Sequence, residues 1–467
     1  SYIFFLFFNI NVFLIQLIAT SIILLGTIDL FKLKFNKIKL KVFNNIFFYL
    51  FILIISLYFF LSLSPITDPD SLEYHIGVPL YSVKYGIFFI KDYWLHSQLA
   101  GSGEALSTVG VSVHAMQIPT FIQFVSLLLL ISTIHYSKSK FFSNISHQSR
   151  YFIYLTIVSC PVFLFLGNTA KPQLFAIATS FIAFFLTFIV LPKENKQENK
   201  KKFFILIILL SLFTTQIKYS FFLSCGIIVI FSFYEMYKAK LFFYSIFVSA
   251  ILFSLIVVPR EAYDYFYINK NILVNFFFPI ADPYLYERIH SSLRHGIGLS
   301  RNFPHWLLFP TKLGEVTYTL GLGMLMVFFN FSLKSSEIKK ILYALIIYFA
   351  LGLYFGQPSG RFFTEPFLWI ILIASINFKF YKNFFYKIFY FSITMQAILI
   401  TLALIFSTYN FLPGILSKKN YSEVLSKFAD GYAIYNWSNK NLPNDSVLLT
   451  THRSLSLSKV NTVFTEF

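Results

Sequence analysis

Residues 42–67 read VFNNIFFYLFILIISLYFFLSLSPIT, and residues 68–75 read DPDSLEYH. The first stretch contains no Asp, Glu, Lys or Arg. A helix of such length crosses a bilayer core of about 30 Å. The second stretch then sets four titratable groups, Asp68, Asp70, Glu73 and His75, at the boundary where that span ends. An apolar run that stops abruptly at a charged loop is the pattern of a membrane helix.

The rest of the chain has the same character. Of its 467 residues, 57% are hydrophobic, 21% aromatic and 12% charged. Soluble domains carry about 25% charged residues. Folded in water, this chain would expose far more apolar surface than a monomer tolerates. A soluble enzyme, a disordered chain and a disulfide scaffold are therefore excluded. Cys160 and Cys225 lie in apolar runs and read as small buried hydrophobes. The chain begins at Ser1 rather than Met, so a few preceding residues are expected. The first apolar run is too long for a cleavable signal and has no small-residue cleavage site.

Runs free of charge, or nearly so, predict about twelve transmembrane helices. They fall at 1–28, 42–67, 105–137, 151–170, 172–192, 203–217, 219–234, 241–259, 316–333, 341–360, 362–378 and 388–417. Residues 203–234 are too long for one span and carry Lys218 in the middle, so they read as two short helices meeting near a surface.

Charge sidedness tests this count. The net charge is +18. With the Lys-rich loop 31–41 cytoplasmic, the inner loops are 31–41, 137–150, 192–202, 235–241, 334–340 and 378–387. They hold 21 of the 38 Lys and Arg but only five of the 20 acids, counting Asp29 at a helix end. The inner face then carries +16 and the outer face +2. A basic chain of this kind calls for no nucleic acid, since its charge sets orientation. Both termini are expected outside.

The membrane domain is read as 1–409, with outer loops at 64–104 and 260–312. Stretches Tyr81–Ile90 and Phe276–Tyr286 suggest helices lying in the interface. From about 410 the composition changes. Tyr421, Val424, Leu425, Phe428, Tyr432 and Tyr435 repeat at helical spacing, Leu442–Asp445 reads as a turn, and Ser446–Thr451 as a strand. Residues 410–467 are thus the start of a small α/β module outside the membrane, expected to be cut short at Phe467. No internal repeat is visible, and the polar run 193–202 reads as a solvated loop.

The loop at 68–75 holds the chemistry. A carboxylate at a membrane boundary is partly desolvated, which raises its basicity. Carboxylates so placed suit proton acceptance or a divalent cation. The plain alternative is that Asp68 and Asp70 cap a helix starting near Ser71. Capping leaves Glu73 and His75 unexplained, and the two readings stand side by side.

Thr67-Asp-Pro-Asp-Ser-Leu-Glu-Tyr-His-Ile-Gly-Val-Pro-Leu-Tyr81, followed by Lys84-Tyr-Gly86, resembles the first periplasmic loop of the GT-C superfamily of polytopic glycosyltransferases. It is most similar to the bacterial relatives of protein O-mannosyltransferases and to the aminoarabinose transferase of lipid A. Gly356-Gln-Pro-Ser-Gly-Arg-Phe-Phe-Thr-Glu-Pro366 resembles the family's late outer loop, with an Arg before a Pro-containing span. Residues Tyr435–Ser446 are similar to the start of its C-terminal periplasmic domain. The likeness runs from about residue 42 onward. It departs in the extra helix 1–28, and in Lys171 of Gly167-Asn-Thr-Ala-Lys-Pro-Gln173, where many relatives have a second acid.

The resemblance implies an all-α polytopic membrane enzyme of the bacterial inner membrane. It would move a sugar from a polyprenyl-phosphate carrier to an acceptor hydroxyl, with inversion, on the periplasmic or extracellular face. Asp70 is the expected base and Asp68 the second choice. Glu73, His75, Lys171, Arg361 and Glu365 are the expected substrate-binding residues. A fixed cation would stabilise the departing phosphate, and Arg grips two oxygens at once. Arg361 is favoured for that role. For Lys171 and Lys218, phosphate binding and plain snorkelling weigh equally. The lipid bilayer is a partner, and the acceptor is a glycan, lipid or protein. A divalent cofactor is conceivable, but the spacing does not support one, and no metal ligands are assigned. Asp282, Glu287 and His290 look superficially metal-like. They read, with Arg260, Glu261, Asp264, Arg288, Arg294, His295, Arg301 and His305, as a polar loop with internal pairs. His96 and Glu104 are not assignable.

Two other functions share parts of this pattern. A polysaccharide polymerase or ligase shares many spans and a large Arg-containing outer loop, but the acidic Asp68–His75 cluster and the outer tail argue against it. A transporter or flippase usually places charges mid-span and repeats its halves. Here the long spans are uncharged.

Overall fold

The computed structural model describes residues 13, 15–17, 20–21, 45–88, 94, 96–97, 100–141, 146–263, 304–310, 313–328, 335–355, 359–377 and 384–464. Helix α1 spans Ile46–Ser62. Asn45 begins it by accepting the Phe47 N–H at 3.0 Å, which satisfies one orphan donor. Then follow α2 (Gly77–Tyr85), α3 (Ser102–Ser112), α4 (Ile118–Phe141), α5 (His147–Val158) and α6 (Pro161–Leu166). Next come α7 (Gln173–Phe185), α8 (Gln197–Ile217), α9 (Phe222–Lys238), α10 (Phe242–Ile256) and α11 (Val258–Tyr263). After a single turn at His305–Leu308 come α12 (Ser336–Phe355), α13 (Thr364–Asn377) and α14 (Phe384–Phe411). The chain ends in α15 (Lys418–Phe428), α16 (Tyr432–Asn441) and the parallel strands β1 (Val447–Thr450) and β2 (Asn461–Phe464).

Among the described residues, five helical stretches are long and apolar enough to cross a membrane: Ile118–Ser137, Gln173–Lys193, Tyr219–Lys238, Phe242–Tyr263 and Phe384–Ile415. Ile46–Ser62 is a shorter apolar helix. Their burial separates centre from periphery. The Gln173–Lys193 stretch is 83% buried within the protein, and Phe242–Tyr263 only 11%. Small side chains on α7 (Ala176, Ala178, Ser180, Ala183) let α4, α8 and α13 approach closely. The outer face of α10 instead shows Phe243, Phe247 and Leu255, as a lipid-facing helix would.

Three expected spans take a different form. The run 105–137 divides into α3 and α4 around His114, whose φ is 59°. The run 151–170 divides at Pro161, which lacks the N–H to continue α5 and instead starts α6. The run 316–333 is not one helix in its described part. It forms two tight 3-10 stretches, Leu313–Tyr318 and Leu322–Phe328, packed inside the protein. Its polar backbone is satisfied from outside: Val162 N–H donates to Thr319 O at 3.0 Å, and Gln396 Oε1 accepts Leu322 N–H at 2.8 Å. Hydropathy cannot tell a lipid-facing residue from one buried in protein, and irregular backbone at membrane depth survives only when so buried.

Near the chain's end, the expected single helical repeat is broken at Gly431, whose φ of 68° starts α16. The strand expected at Ser446–Thr451 is observed at Val447–Thr450, paired in register with Asn461–Phe464. The expected interfacial stretch 81–90 belongs partly to α2, which packs on α3 and ends at Gly86 with φ 71°. Phe276–Tyr286 lies outside the described residues.

Candidate functional site

Asp68 is the cap. Its Oδ2 accepts the Ser71 N–H at 2.9 Å and the Ser71 hydroxyl at 2.8 Å, with Pro69 at the first helical position between them. The Ser71 hydroxyl oxygen in turn accepts Ala170 N–H at 3.0 Å, tying the loop to the turn before α7. Because Asp68 does the capping, the Asp70 carboxylate is left for other partners. A single π-helical turn, Ser71–His75, follows and buries Glu73, Tyr74 and His75. Such turns often mark functional sites.

Asp70 lies between two cations. Lys171 Nζ is 2.6 Å from its Oδ2, and Arg453 Nη2 is 2.5 Å from its Oδ1. Lys171 also reaches Asp68 at 3.6 Å and lies over the Phe165 ring. Burial acts to raise the pKa of Asp70, but Lys171 and Arg453 outweigh it and hold the carboxyl well below the usual carboxylate range. Asp70 is therefore ionised at any physiological pH.

Behind Asp70 is a second layer. Glu73 is fully buried and accepts from Trp94 Nε1 at 3.2 Å, His96 Nδ1 at 2.5 Å and Arg453 Nε at 2.6 Å. Burial would raise its pKa, but His96 and Arg453 reverse the direction. His75 Nδ1 meets Glu104 Oε1 at 2.5 Å, and the other oxygen of Glu104 accepts Gly101 N–H at 2.6 Å, capping α3. Burial lowers the His75 pKa despite Glu104, so the ring is neutral and its Nδ1–H donates. Arg260 locks three segments together. It donates to Gln216 O at 3.1 Å and Ala100 O at 2.9 Å and covers the Tyr219 ring. Gly101 sits so close that a Cβ there would meet Gln216 O at 2.2 Å.

Lys218 stands at the break between α8 and α9, with Nζ 3.3 Å from Gln173 Oε1. Burial and the nearby charges of Arg361 and Lys171 push its pKa down to about 7. Gln173 also donates to Arg361 O at 3.2 Å, so one glutamine spans the Lys218 and Arg361 turns. The Arg361 guanidinium lies over the Phe362 ring at 4.9 Å, and Thr364 holds its carbonyl. Lys171, Lys218 and Arg361 thus converge beside the carboxylates. That is a place for an anion.

Of the residues expected from sequence, Asp68, Asp70, Glu73, His75, Lys171 and Arg361 belong to one neighbourhood. Glu365 does not join them by any contact described: its carboxylate takes the Ser180 hydroxyl between α13 and α7. Glu73 and His75 are engaged with protein partners. Residues 264–303, with the acids and bases expected there, lie outside the described residues, while His305 is exposed. No group of three His, Cys, Asp or Glu suited to a metal occurs among the described residues. Arg453 was not foreseen. Its only sequence signal is a basic residue after a strand, which names no partner.

Comparison with solved structures finds ArnT from Cupriavidus metallidurans, determined bound to undecaprenyl phosphate. It superposes with a TM-score of 0.54 over 89% of this chain and 85% of that one, at 9% identity, which is a likeness of fold. The long apolar helices and this fold make the chain an integral membrane protein. No curated protein matches. A family model described as the DUF1420 N-terminal domain matches residues 4–425, and the protein belongs to that family.

Proposed function

We propose that this protein is a GT-C type membrane glycosyltransferase that moves a sugar from a polyprenyl-phosphate carrier to an acceptor hydroxyl with inversion. The observation that carries the reading is the convergence of Lys171, Lys218 and Arg361 beside an ionised Asp70. The ArnT-like fold and the undecaprenyl phosphate bound to ArnT support it. The loop resemblance at Thr67–Gly86 points the same way.

The donor is a phosphodiester with one negative charge. The acceptor oxygen attacks the anomeric carbon, and the bond from that carbon to the phosphate oxygen breaks. The leaving phosphate keeps the electron pair and gains a second charge. Lys171, Lys218 and Arg361 are fixed where that charge develops. Asp70 takes the acceptor proton. Its basicity is low, so the proton moves late, as bond formation makes the acceptor oxygen acidic. Holding the reactants in line supplies much of the rate.

The charge sidedness supports a site on the extracytoplasmic face, and the loop resemblance supports a bacterial inner membrane. On this reading, residues 1–409 form the membrane domain and 410–467 belong to an outer module. The test is incubation of membranes containing the protein with labelled polyprenyl-phosphate sugars and candidate acceptors. Transfer that depends on Asp70 is expected. An Asp70→Asn variant with full transfer activity would sink the mechanism.

A further inference from the structure

Arg453 comes from the turn after β1, far along the chain from the loop it meets. Its Nε binds Glu73 Oε2 at 2.6 Å, and its Nη2 binds Asp70 Oδ1 at 2.5 Å. One guanidinium therefore bridges two carboxylates three residues apart through separate nitrogens of one rigid plane, a fixed spacing that the single nitrogen of an ammonium does not reproduce. The arginine is itself held. Its backbone N–H donates to Asp430 Oδ2 at 3.0 Å, His452 Nδ1 is 2.9 Å from Asp430 Oδ1, and Tyr435 Oη donates to His452 O at 2.7 Å. Gly431, at positive φ, lies against the His452 ring, where a Cβ would come within 2.6 Å. Tyr85 Oη reaches Asn461 Oδ1 at 2.8 Å, fastening β2 to α2. Asp430, Gly431, Tyr435, His452, Arg453 and Asn461 all lie beyond residue 425, where the family match ends, while the carboxylates they reach lie within it.

We propose that Arg453 is a positioning residue, through which the segment after α14 completes the site by holding Asp70 and Glu73 in one fixed arrangement. Its bearing on transfer rests on Asp70 being the base; the bridge itself does not. The charged and titratable groups facing Asp70 are Lys171, Arg453, Asp68, Tyr74, His75 and Lys218. Removing Arg453 takes away one of the two cations in direct contact, so Asp70 protonates at higher pH.

The test is carbodiimide coupling of an amine to purified full-length protein across a falling pH series, with labelled peptides read by mass spectrometry. Carbodiimides capture the protonated carboxyl. The exposed Asp445 serves as internal reference. In the native protein Asp70 labels only below the usual carboxylate range. In Arg453→Gln its onset rises by about one pH unit or more. In Arg453→Lys, which keeps the charge but not the bridge, the onset rises less. An unchanged Asp70 onset in both variants overturns the proposal, and Arg453→Lys alone decides if the glutamine variant does not fold. Transfer assays on the same samples expect kcat to fall at least tenfold with donor KM little changed. A native protein with no transfer activity leaves the labelling result standing, which separates the two failures.

Discussion

Lys171 Nζ lies 2.6 Å from Asp70 Oδ2, and the Lys171 side chain is only 5% exposed. A lysine so buried needs its counter-charge, and Asp70 supplies it. The same lysine faces Lys218, so it stands between the carboxylates and the cation cluster. An arriving phosphate would compete with Asp70 for it. Lys171→Gln is therefore expected to lower transfer by about a hundredfold or more, by removing charge where the leaving phosphate forms. Asp70 keeps Arg453, so the fold should persist. Initial rates and donor KM for the native protein, Lys171→Gln and Lys171→Arg check this. Native rates in Lys171→Gln would remove the lysine from the reaction.

Lys218 gives a pH dependence with a definite sign. Its pKa in the empty site is about 7, below that of an ordinary lysine, because burial and two cations oppose its charge. A bound anion favours the charged form and raises that pKa. Binding then takes up a proton wherever the empty site holds a neutral lysine, which is above about pH 7. Affinity for a polyprenyl phosphodiester, whose own charge is fixed, should be flat below about pH 7. Above it, affinity should fall, approaching tenfold per unit. Lys218→Met should bind more weakly and flatten the curve. Binding isotherms across this range provide the check, and a flat native curve would contradict it.

Glu104 serves two structures at once, the His75 ring and the N-terminus of α3. Glu104→Ala strands a buried imidazole N–H and the Gly101 amide. The cost is about 2–4 kcal/mol. Glu104→Gln keeps an oxygen for one of them and should lose roughly half as much. Thermal unfolding in detergent measures both, and equal melting temperatures for all three proteins would refute the dual role.

How much of this was legible in sequence depended on range. The end of the 42–67 run and the acids after it were local, and so was the capping alternative, which Asp68 fulfils while Asp70 meets the cations. The run 172–192 was legible because one continuous helix occupies it. Glu73 and His75 looked available for substrate because their partners, Arg453, His96 and Glu104, are distant in the chain. Glu365 looked like a substrate-binding residue because it stands close to Arg361 in sequence. The helical turn carries its carboxyl toward Ser180 instead. Net charge by loop could place cations on one side, but not say which would meet.

Gln396 tests the misread span. It lies on α14, an apolar helix, yet its side chain serves two breaks in the backbone. Its Oε1 accepts Leu322 N–H at 2.8 Å, and its Nε2 donates to Ser159 O at 2.9 Å. Gly321, with φ 76°, comes so close that a Cβ would lie 2.5 Å from Oε1. A leucine would suit the hydropathy of α14 better, so hydropathy alone expects Gln396→Leu to be harmless. Hydrogen-bond accounting expects the reverse, since two buried backbone groups lose their partners at about 1–3 kcal/mol each. The variant should melt several degrees lower in detergent, and Gln396→Glu, which keeps the acceptor but not the donor, should fall between. A Gln396→Leu protein as stable as the native one would mean that the 3-10 stretches at 313–328 do not depend on this side chain.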